Sequence, residues 1–256
     1  MIVREARERP LSWPDRRKQI PSWSVPFFAI EWLWEWIAFL LSRWTFVVVL
    51  EYLGSLSILV AVFFYFHDSE NRVKLRHYQA WQVINTAQGK GGSGGRIEAL
   101  QELNEDRIPL VGVDVSGAFL QGVHLSKARL LRSNFSGADV RNADFSAADL
   151  QDSDLRSANF RAASFEKASL LGVQMDDADF QGADLSRSDL SEAVLDNSDL
   201  RFAAMSDTTW NHIRSIKGAN LYGVKEAPSG FVEWALKHGA VQMESDEQWE
   251  HSRAGQ

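Results

Sequence analysis

The chain has no cysteine in its 256 residues, and it has only six histidines. Without cysteine there is neither a disulfide framework nor a thiolate nucleophile. The histidines show no metal-ligand spacing such as HExxH; they are His67, His77, His124, His212, His238 and His251. No glycine-flanked serine forms a nucleophile elbow. We therefore predict no catalytic residue, no metal site and no cofactor, and we do not expect an enzyme.

An excess of positive charge is also missing. The formal net charge is −7, which argues against a nucleic-acid-binding protein. Between Asp114 and Arg201 there are fifteen acidic and nine basic residues. This mild acidity is typical of a solvated surface.

What the chain does have is a medium or large apolar side chain at every fifth position from 115 to 205. The positions are Val115, Leu120, Leu125, Leu130, Phe135, Val140, Phe145, Leu150, Leu155, Phe160, Phe165, Leu170, Met175, Phe180, Leu185, Leu190, Leu195, Leu200 and Met205. Two residues before each of them the side chain is small, apart from Val113, Val123 and Val173. A helix repeats every 3.6 residues and a strand every 2, so a strict period of five indicates a solenoid.

A five-residue period suits a tube of square cross-section, in which each pentapeptide forms one side. The large residue fills the axis, the small residue lets the chain turn inward, and the other three positions face water. Asp or Asn often precedes the large residue, where a short polar side chain can hydrogen-bond the nearby backbone. The repeats make about five coils, and stacking at the spacing of a β-sheet gives a tube about 24 Å long.

Several tripeptides in this tract follow one pattern. They include Ala138-Asp139-Val140, Ala143-Asp144-Phe145, Ala148-Asp149-Leu150, Ala178-Asp179-Phe180 and Ala183-Asp184-Leu185. They resemble the A(D/N)LXX repeat of the pentapeptide-repeat family. The resemblance covers residues 110 to 205 and implies a β-solenoid, a right-handed quadrilateral β-helix. Phe119, His124 and Arg129 depart from the pattern, but the inward positions beside them stay apolar or small.

An apolar run before the repeats predicts a membrane anchor. Residues 44 to 66 contain a single ionisable group, Glu51, and are long enough to cross a bilayer core. Trp44 and Tyr65 lie near its ends, where aromatic belts occur. We predict a transmembrane α-helix over 44–66 rather than a secretory signal, because the run is too long, starts late and lacks a cleavage site.

One stripe of the predicted span is suited to contact another membrane helix. Small residues allow close approach, and a carboxylate inside a membrane is a functional candidate by default. The stripe consists of Glu51, Gly54, Ser55, Ile58 and Ala61.

The preceding segment, residues 25–43, has two interpretations. It is long enough to span a membrane but carries Glu31 and Glu35. It can lie in the headgroup region as an interfacial helix, or it can form a second span in a hairpin that turns at Ser42-Arg43. We favour the interfacial helix. Basic residues flank the apolar region on both sides; a hairpin would place both flanks in the cytoplasm, whereas with a single span the two flanks compete. We expect the repeat domain in the cytoplasm, at a bacterial inner membrane.

Composition supplies the remaining boundaries. Residues 1–24 form a basic amino-terminal arm, and 67–109 form a helical connector and amino-terminal cap. Residues 110–210 form the solenoid, 211–241 a carboxy-terminal cap, and 242–256 a disordered tail. The segment GKGGSGG at 89–95 is interpreted as a flexible turn, because it lacks the order of residues found in a phosphate-binding loop.

The leading functional hypothesis is a non-enzymatic, membrane-anchored scaffold. It would contact membrane lipid and an unidentified protein partner, or a second copy of itself, whereas nucleic acid is not an expected partner. One alternative is an ion-channel or pore component or accessory, with Glu31, Glu35 and Glu51 lining a path. The other follows from the resemblance, since some soluble family members mimic DNA and modulate topoisomerases; the acidic stretches 139–154 and 176–199 would serve that role.

Overall fold

The computed structural model describes residues 8–18, 20–21, 25–43, 45–67, 69–86 and 93–254. Within the helices, the side chains at 43, 45–51, 55, 66, 69–70 and 253–254 also lie outside the described part. The chain divides into two compact units, Met1–Arg72 and Val73–Gln256.

The first unit is helical. It contains α1 (Trp13–Arg17), α2 (Val25–Arg43) and α3 (Thr45–His67). Pro14 lies in the first turn of α1, where its missing N–H has no helical partner to lose. Helix α1 packs on α2 through the rings of Trp13 and Trp32, whose centroids are 5.5 Å apart.

The apolar helices bear on the membrane prediction. By length and composition alone, the segment Val25–Ser42 of α2 can cross a membrane, and none of that stretch is buried. A signal sequence or a core helix meets the same criterion. In α3 the described apolar stretch, Tyr52–Tyr65, is shorter. The predicted span over 44–66 is therefore helical from Thr45 onward, but its role as a span stays a prediction.

The second unit is built on a solenoid. From residue 114 on, each side of the coil contributes one residue to a parallel bridge with the residue twenty positions later, from Asp114–Asn134 to Asp189–Thr209. The hydrogen bonds join successive coils: the Leu125 N–H donates to the Asp144 carbonyl at 2.7 Å. Four such ladders run along four sides. This confirms the predicted right-handed quadrilateral β-helix of about five coils.

Every corner of the coil is a four-residue turn. The Ala128 N–H donates to the Leu125 carbonyl at 3.1 Å, and Lys127 between them has a φ of 58°. A positive φ at the third position defines a type II turn. The turn directs the large residue and the small residue to the same interior, and every predicted large residue from Val115 to Met205 is fully buried.

Phenylalanines fill the middle of the axis in stacked pairs. Phe145 and Phe165 lie one coil apart with ring centroids separated by 5.1 Å and planes inclined by 9°. Phe160 and Phe180 stack in the same way at 5.0 Å. Each ring of these pairs therefore packs on the ring of the next coil, as expected for a close-packed interior.

The coil continues beyond the predicted end of the solenoid at residue 210. Val194, Asp199 and Ala204 bridge to Ser215, Asn220 and Lys225, each 21 positions later. One extra residue after Trp210 shifts the register, and this shift hides the continuation from a search at a fixed period. The next coil closes with Asn220–Val241 and holds α6 (Phe231–Lys237) within it.

The prediction of a disordered tail over 242–256 is wrong for most of that segment. Helix α7 extends over Asp246–Ala254. Trp249 is buried, and its indole N–H donates to the Gly218 carbonyl at 2.8 Å. The segment is polar on average, and polar composition predicts disorder. Its one buried aromatic residue, Trp249, hardly changes that average, although it anchors the helix.

Two further helices precede the solenoid. They are α4 (Ser69–Thr86) and α5 (Arg96–Glu105). In α5, Leu100 and Leu103 are fully buried, and in α4 Ile84 is buried with them. These apolar faces meet the first coil of the solenoid.

Candidate interaction site

Helix α5 covers the amino-terminal edge of the solenoid. The His124 N–H donates to the Gln101 side-chain oxygen at 3.1 Å, and the Asn104 amide donates to the Ser126 carbonyl at 3.0 Å. These side chains satisfy backbone groups that an open coil edge would expose to another chain. The described part of α4 adds a contact between His77 and Asp106, whose Nε2 and Oδ2 atoms lie 2.7 Å apart.

Most outward aspartates of the repeats are engaged with their own backbone. The carboxylates of Asp144, Asp184 and Asp189 each accept the N–H of the residue two positions later, at 2.9 Å. These Asx turns stabilise the corners. They explain the recurrence of Asp as a structural property of the repeat.

One side of the solenoid carries pairs of Asp and Arg, and we call it the Asp/Arg face. It comprises Asp139, Arg141, Asn159, Arg161, Asp179, Gln181, Asp199 and Arg201, which lie on the ladder that runs through residues 119, 139, 159, 179, 199 and 220. Arg141 pairs with Asp139 at 2.7 Å, and Arg161 pairs with Asp179 of the next coil at 2.5 Å. The hydrogen-bonded Arg141 guanidinium holds the pKa of the Asp139 carboxyl below its usual range. On an adjacent side, Arg156 does the same to Asp154.

The carboxy-terminal end of the Asp/Arg face is covered by α7. The Arg201 side chain is only 6% exposed, whereas those of Arg141 and Arg161 are 43% and 47% exposed. Arg201 pairs with both Asp199 and Asp246 at 2.6 Å, and its guanidinium lies 5.6 Å from the centre of the Trp249 ring. The bonded carboxylate of Asp199 raises the Arg201 pKa further above its ordinary value. A cavity of about 250 Å³ lies where α7 meets this face.

Charge is distributed unevenly along the solenoid. Residues 107 to 132 include four Lys or Arg and one Asp. Residues 133 to 210 include six Lys or Arg and fifteen Asp or Glu. The stretch that leads into the solenoid and forms its first coil is therefore basic, and the coils that follow are acidic.

The cations of the first coil border a cavity of about 430 Å³, which we call the basic groove. It is lined by Asn104, Glu105, Arg107, Ile108, Ser126, Lys127 and Arg129. Within the described part of the chain, no ion pair engages its three cations. The sequence did not reveal the groove, because Arg107 comes twenty residues before Lys127 and only the coil brings them together.

The first unit has an ion-pair cluster of its own. Arg16 pairs with Glu31 at 3.5 Å and also with Glu35, and its side chain is 18% exposed. The Trp32 indole N–H donates to the Leu11 carbonyl at 2.8 Å, which holds the segment before α1 against α2. The two carboxylates predicted to line a pore thus have a cationic partner, and the charge they offer such a path is reduced.

The predicted helix-contact stripe of α3 is partly described. Nothing lies within 4 Å of the position that a Cβ would take at Gly54, and Ile58 is exposed. The side chains of Glu51 and Ser55 lie outside the described part, and Ala61 is exposed. The contact of this stripe with another helix stays a prediction. In the residues that the structure describes, no group of His, Asp and Glu is arranged to hold a metal ion.

Comparison with known proteins supports the repeat. The model of the pentapeptide repeats matches residues 110–146, 143–182 and 174–209. The comparison with curated protein sequences finds no match.

Solved structures of repeat proteins are similar to part of the chain. A pentapeptide repeat protein, Rfr23, from the cyanobacterium Cyanothece 51142 is 27% identical over 39% of this chain and 65% of its own length, with a TM-score of 0.33. One from the Arabidopsis thaliana thylakoid lumen is 24% identical over 54% of this chain and 81% of its own, with a TM-score of 0.32. QnrB1, a plasmid-mediated fluoroquinolone resistance protein, is 16% identical over 57% of this chain and 85% of its own, with a TM-score of 0.24.

The chain thus spans less than two thirds of the length of the Cyanothece protein, and none of these three TM-scores reaches 0.5. These solved structures therefore carry no argument about this chain, and the similarity depends on the match of its repeats to the model of the pentapeptide repeats. Residues 110–209 match the model of the pentapeptide repeats, and the structure arranges them as a quadrilateral β-helix.

Proposed function

We propose that the protein is a non-enzymatic, membrane-anchored scaffold that binds a protein partner on the Asp/Arg face of its solenoid. The observation that carries the proposal is the docking of α7 on that face. An ion pair from Arg201 to Asp246 and a buried Trp249 hold the helix there. Arginine and tryptophan are the residues that most often dominate the affinity of protein interfaces.

The exposed remainder of the Asp/Arg face repeats the same chemistry. Arg141 and Arg161 lie one and two coils after the start of this ladder, each paired with an Asp and each about half exposed. A partner helix that carries acidic and aromatic residues would find there the groups that α7 finds at Arg201. Because the coils are rigid and regularly spaced, the face needs little ordering when it binds, which favours affinity.

The anchor is the amino-terminal helical unit. The segment Val25–Ser42 of α2 can cross a bilayer by length and composition, and α3 continues with a second apolar stretch. In the proposal these helices hold the solenoid near the membrane, on the cytoplasmic side of a bacterial inner membrane. The stripe with Gly54 and Ile58 then contacts a second copy of the chain or another membrane protein.

A crosslinking experiment in native membranes tests the proposal. A photoreactive residue replaces Asn159 or Gln181 on the Asp/Arg face, or Gln151 or Ser191 on the opposite side of the coil. We expect a crosslinked protein of discrete mass from the first pair of positions and little from the second. Equal crosslinking from both sides, or none from either, would contradict the proposed face.

A second candidate function is modulation of a topoisomerase by mimicry of DNA. The fifteen acidic residues against six basic ones between 133 and 210 favour it. The pairing of Asp139, Asp154 and Asp179 with arginines opposes it, because a mimic of the phosphate backbone needs unpaired negative charge. A DNA supercoiling assay with gyrase separates the candidates: inhibition or protection by the purified chain supports mimicry, and no effect removes it.

A further inference from the structure

We propose that the basic groove binds the headgroup phosphate of an anionic phospholipid, so that the first coil of the solenoid rests on the surface of the membrane. The inference rests on the proposed function, since a tethered solenoid meets such headgroups at high local concentration. It adds a binding site and a ligand class that the scaffold itself does not require.

The groove has the composition of a phosphate site. Arg107, Lys127 and Arg129 line it, and a volume of about 430 Å³ is within the range of small-molecule sites. Arginine offers paired donors that match phosphate oxygens, and lysine adds a compact positive charge. No acidic side chain forms an ion pair with these three cations in the described residues.

One acidic side chain lines the groove, and two neighbouring ones make contacts of their own. Glu105 is the one carboxylate that lines it. On α5, Glu102 is paired with Arg76 at 3.8 Å. On the next coil, the carboxylate of Asp149 lies 3.4 Å from the backbone N–H of Gln151, which donates to it. Among the residues that line the groove, three cations outnumber one carboxylate, so a phosphate meets a lining of net positive charge.

The uneven charge of the solenoid gives the contact an orientation. An anionic bilayer attracts the basic first coil and repels the coils after it, where acidic residues outnumber basic ones by fifteen to six. The Debye length at physiological salt is about 8 Å, so the groove must approach the surface closely before it is attracted. The tether supplies that proximity.

The test uses the full chain in vesicles, and it exploits the absence of cysteine. A Gln121→Cys variant places one dye on the exposed first coil, and energy transfer to an acceptor on lipid headgroups reports its distance from the membrane. We expect stronger transfer in vesicles of phosphatidylcholine with phosphatidylglycerol than in phosphatidylcholine alone. We also expect the difference to shrink as salt is raised.

Two pairs of substitutions test the groove. Each basic residue near an anionic surface changes the docking equilibrium about fivefold, so Lys127→Gln with Arg129→Gln should lower it roughly 25-fold. The matched control is Lys167→Gln with Arg187→Gln. Lys167 and Arg187 occupy the same corner as Lys127, two and three coils further on, with φ angles of 62° and 59° against 58°. The control should leave transfer unchanged, and Lys127→Arg with Arg129→Lys should retain docking.

Three results would overturn the inference. One is equal transfer in both lipid mixtures, and another is an equal loss in the groove variant and the control. The third is the binding of inorganic phosphate to the groove without any dependence on anionic lipid, which would indicate a site for free phosphate. Extraction of the chain from phosphatidylcholine vesicles by carbonate would instead contradict the membrane anchor, so the two failures are distinguishable.

Discussion

Phe165→Ala is the sharpest perturbation of the solenoid interior. Phe165 is fully buried, stacks on Phe145 at 5.1 Å, and faces Phe160 at 5.2 Å and Phe180 at 5.6 Å. Truncation of a buried Phe costs about 3–5 kcal/mol, because it removes the transfer free energy and leaves a cavity. Since the neighbouring rings are held in stacks by the coils above and below, the cavity cannot collapse. We expect a loss of about 4–5 kcal/mol in the free energy of unfolding, in the upper part of this range.

The matched control is Phe119→Ala. Phe119 precedes the large residue of its repeat, points outward and is 51% exposed. Its truncation leaves no cavity, and we expect a cost below about 1 kcal/mol, as for most surface substitutions.

Hydrogen exchange on the full chain in detergent is the suitable assay, because it reads the opening free energy of each coil separately from the membrane helices. Repeat proteins are stabilised mainly by interfaces between neighbouring coils, so the loss should be greatest between residues 145 and 185 and smaller near the carboxy-terminal coil. Equal effects of Phe165→Ala and Phe119→Ala would refute the assignment of inward and outward positions.

Four further predictions follow from the contacts described above. Gly137→Ala should lower the free energy of unfolding by about 1 kcal/mol in a denaturant titration. Gly137 has a φ of 65° and open space where a Cβ would lie, so the cost comes from the backbone conformation alone. The control, Ala147→Gly at an equivalent corner, should not lower it. Trp249→Ala should remove the exchange protection of α7 while that of residues 115–185 is unchanged, since the Trp249 side chain contacts Arg201 and Gly218 in the last coils. Arginine lowers the pKa of the Asp139 and Asp154 carboxyls, so their ionised forms stabilise the fold above the ordinary Asp pKa of about 3.9. This stability is lost as the pH falls through the pKa values of the folded state. Below about pH 4, the urea midpoint should therefore fall less in the double variant Asp139→Asn with Asp154→Asn than in the unchanged chain. Arg16→Gln should reduce the membrane insertion of α2, as measured by labelling of single cysteines at its ends, and Glu31→Gln with Glu35→Gln should restore it, whereas Arg17→Gln should have no effect.

The repeat was predictable because its signal is local. A buried residue at every fifth position, from Val115 to Met205, is a property of consecutive pentapeptides, and each coil repeats the same geometry. The predicted boundary at residue 210 was too early because one residue is inserted after Trp210, so that the register between Asp199 and Asn220 differs by a single position. A fixed period of five identifies the repeat, but it does not include a coil whose residues are shifted by one position.

The candidate sites were less predictable because their residues meet only after folding. Arg16 pairs with Glu35, which comes nineteen residues later in the chain, and Arg201 pairs with Asp246, which comes 45 residues later. Neither pair falls at a spacing that a helix or a turn makes recognisable. The basic groove is of the same kind, because α5 and the first coil contribute to it together.

The most direct test of a tethered solenoid is extraction of membranes with alkaline carbonate. The account predicts that the full chain stays with the membrane pellet and that a chain beginning at Val73 is released into the supernatant. Release of the full chain would contradict the anchor, and with it the presentation of the Asp/Arg face beside a bilayer.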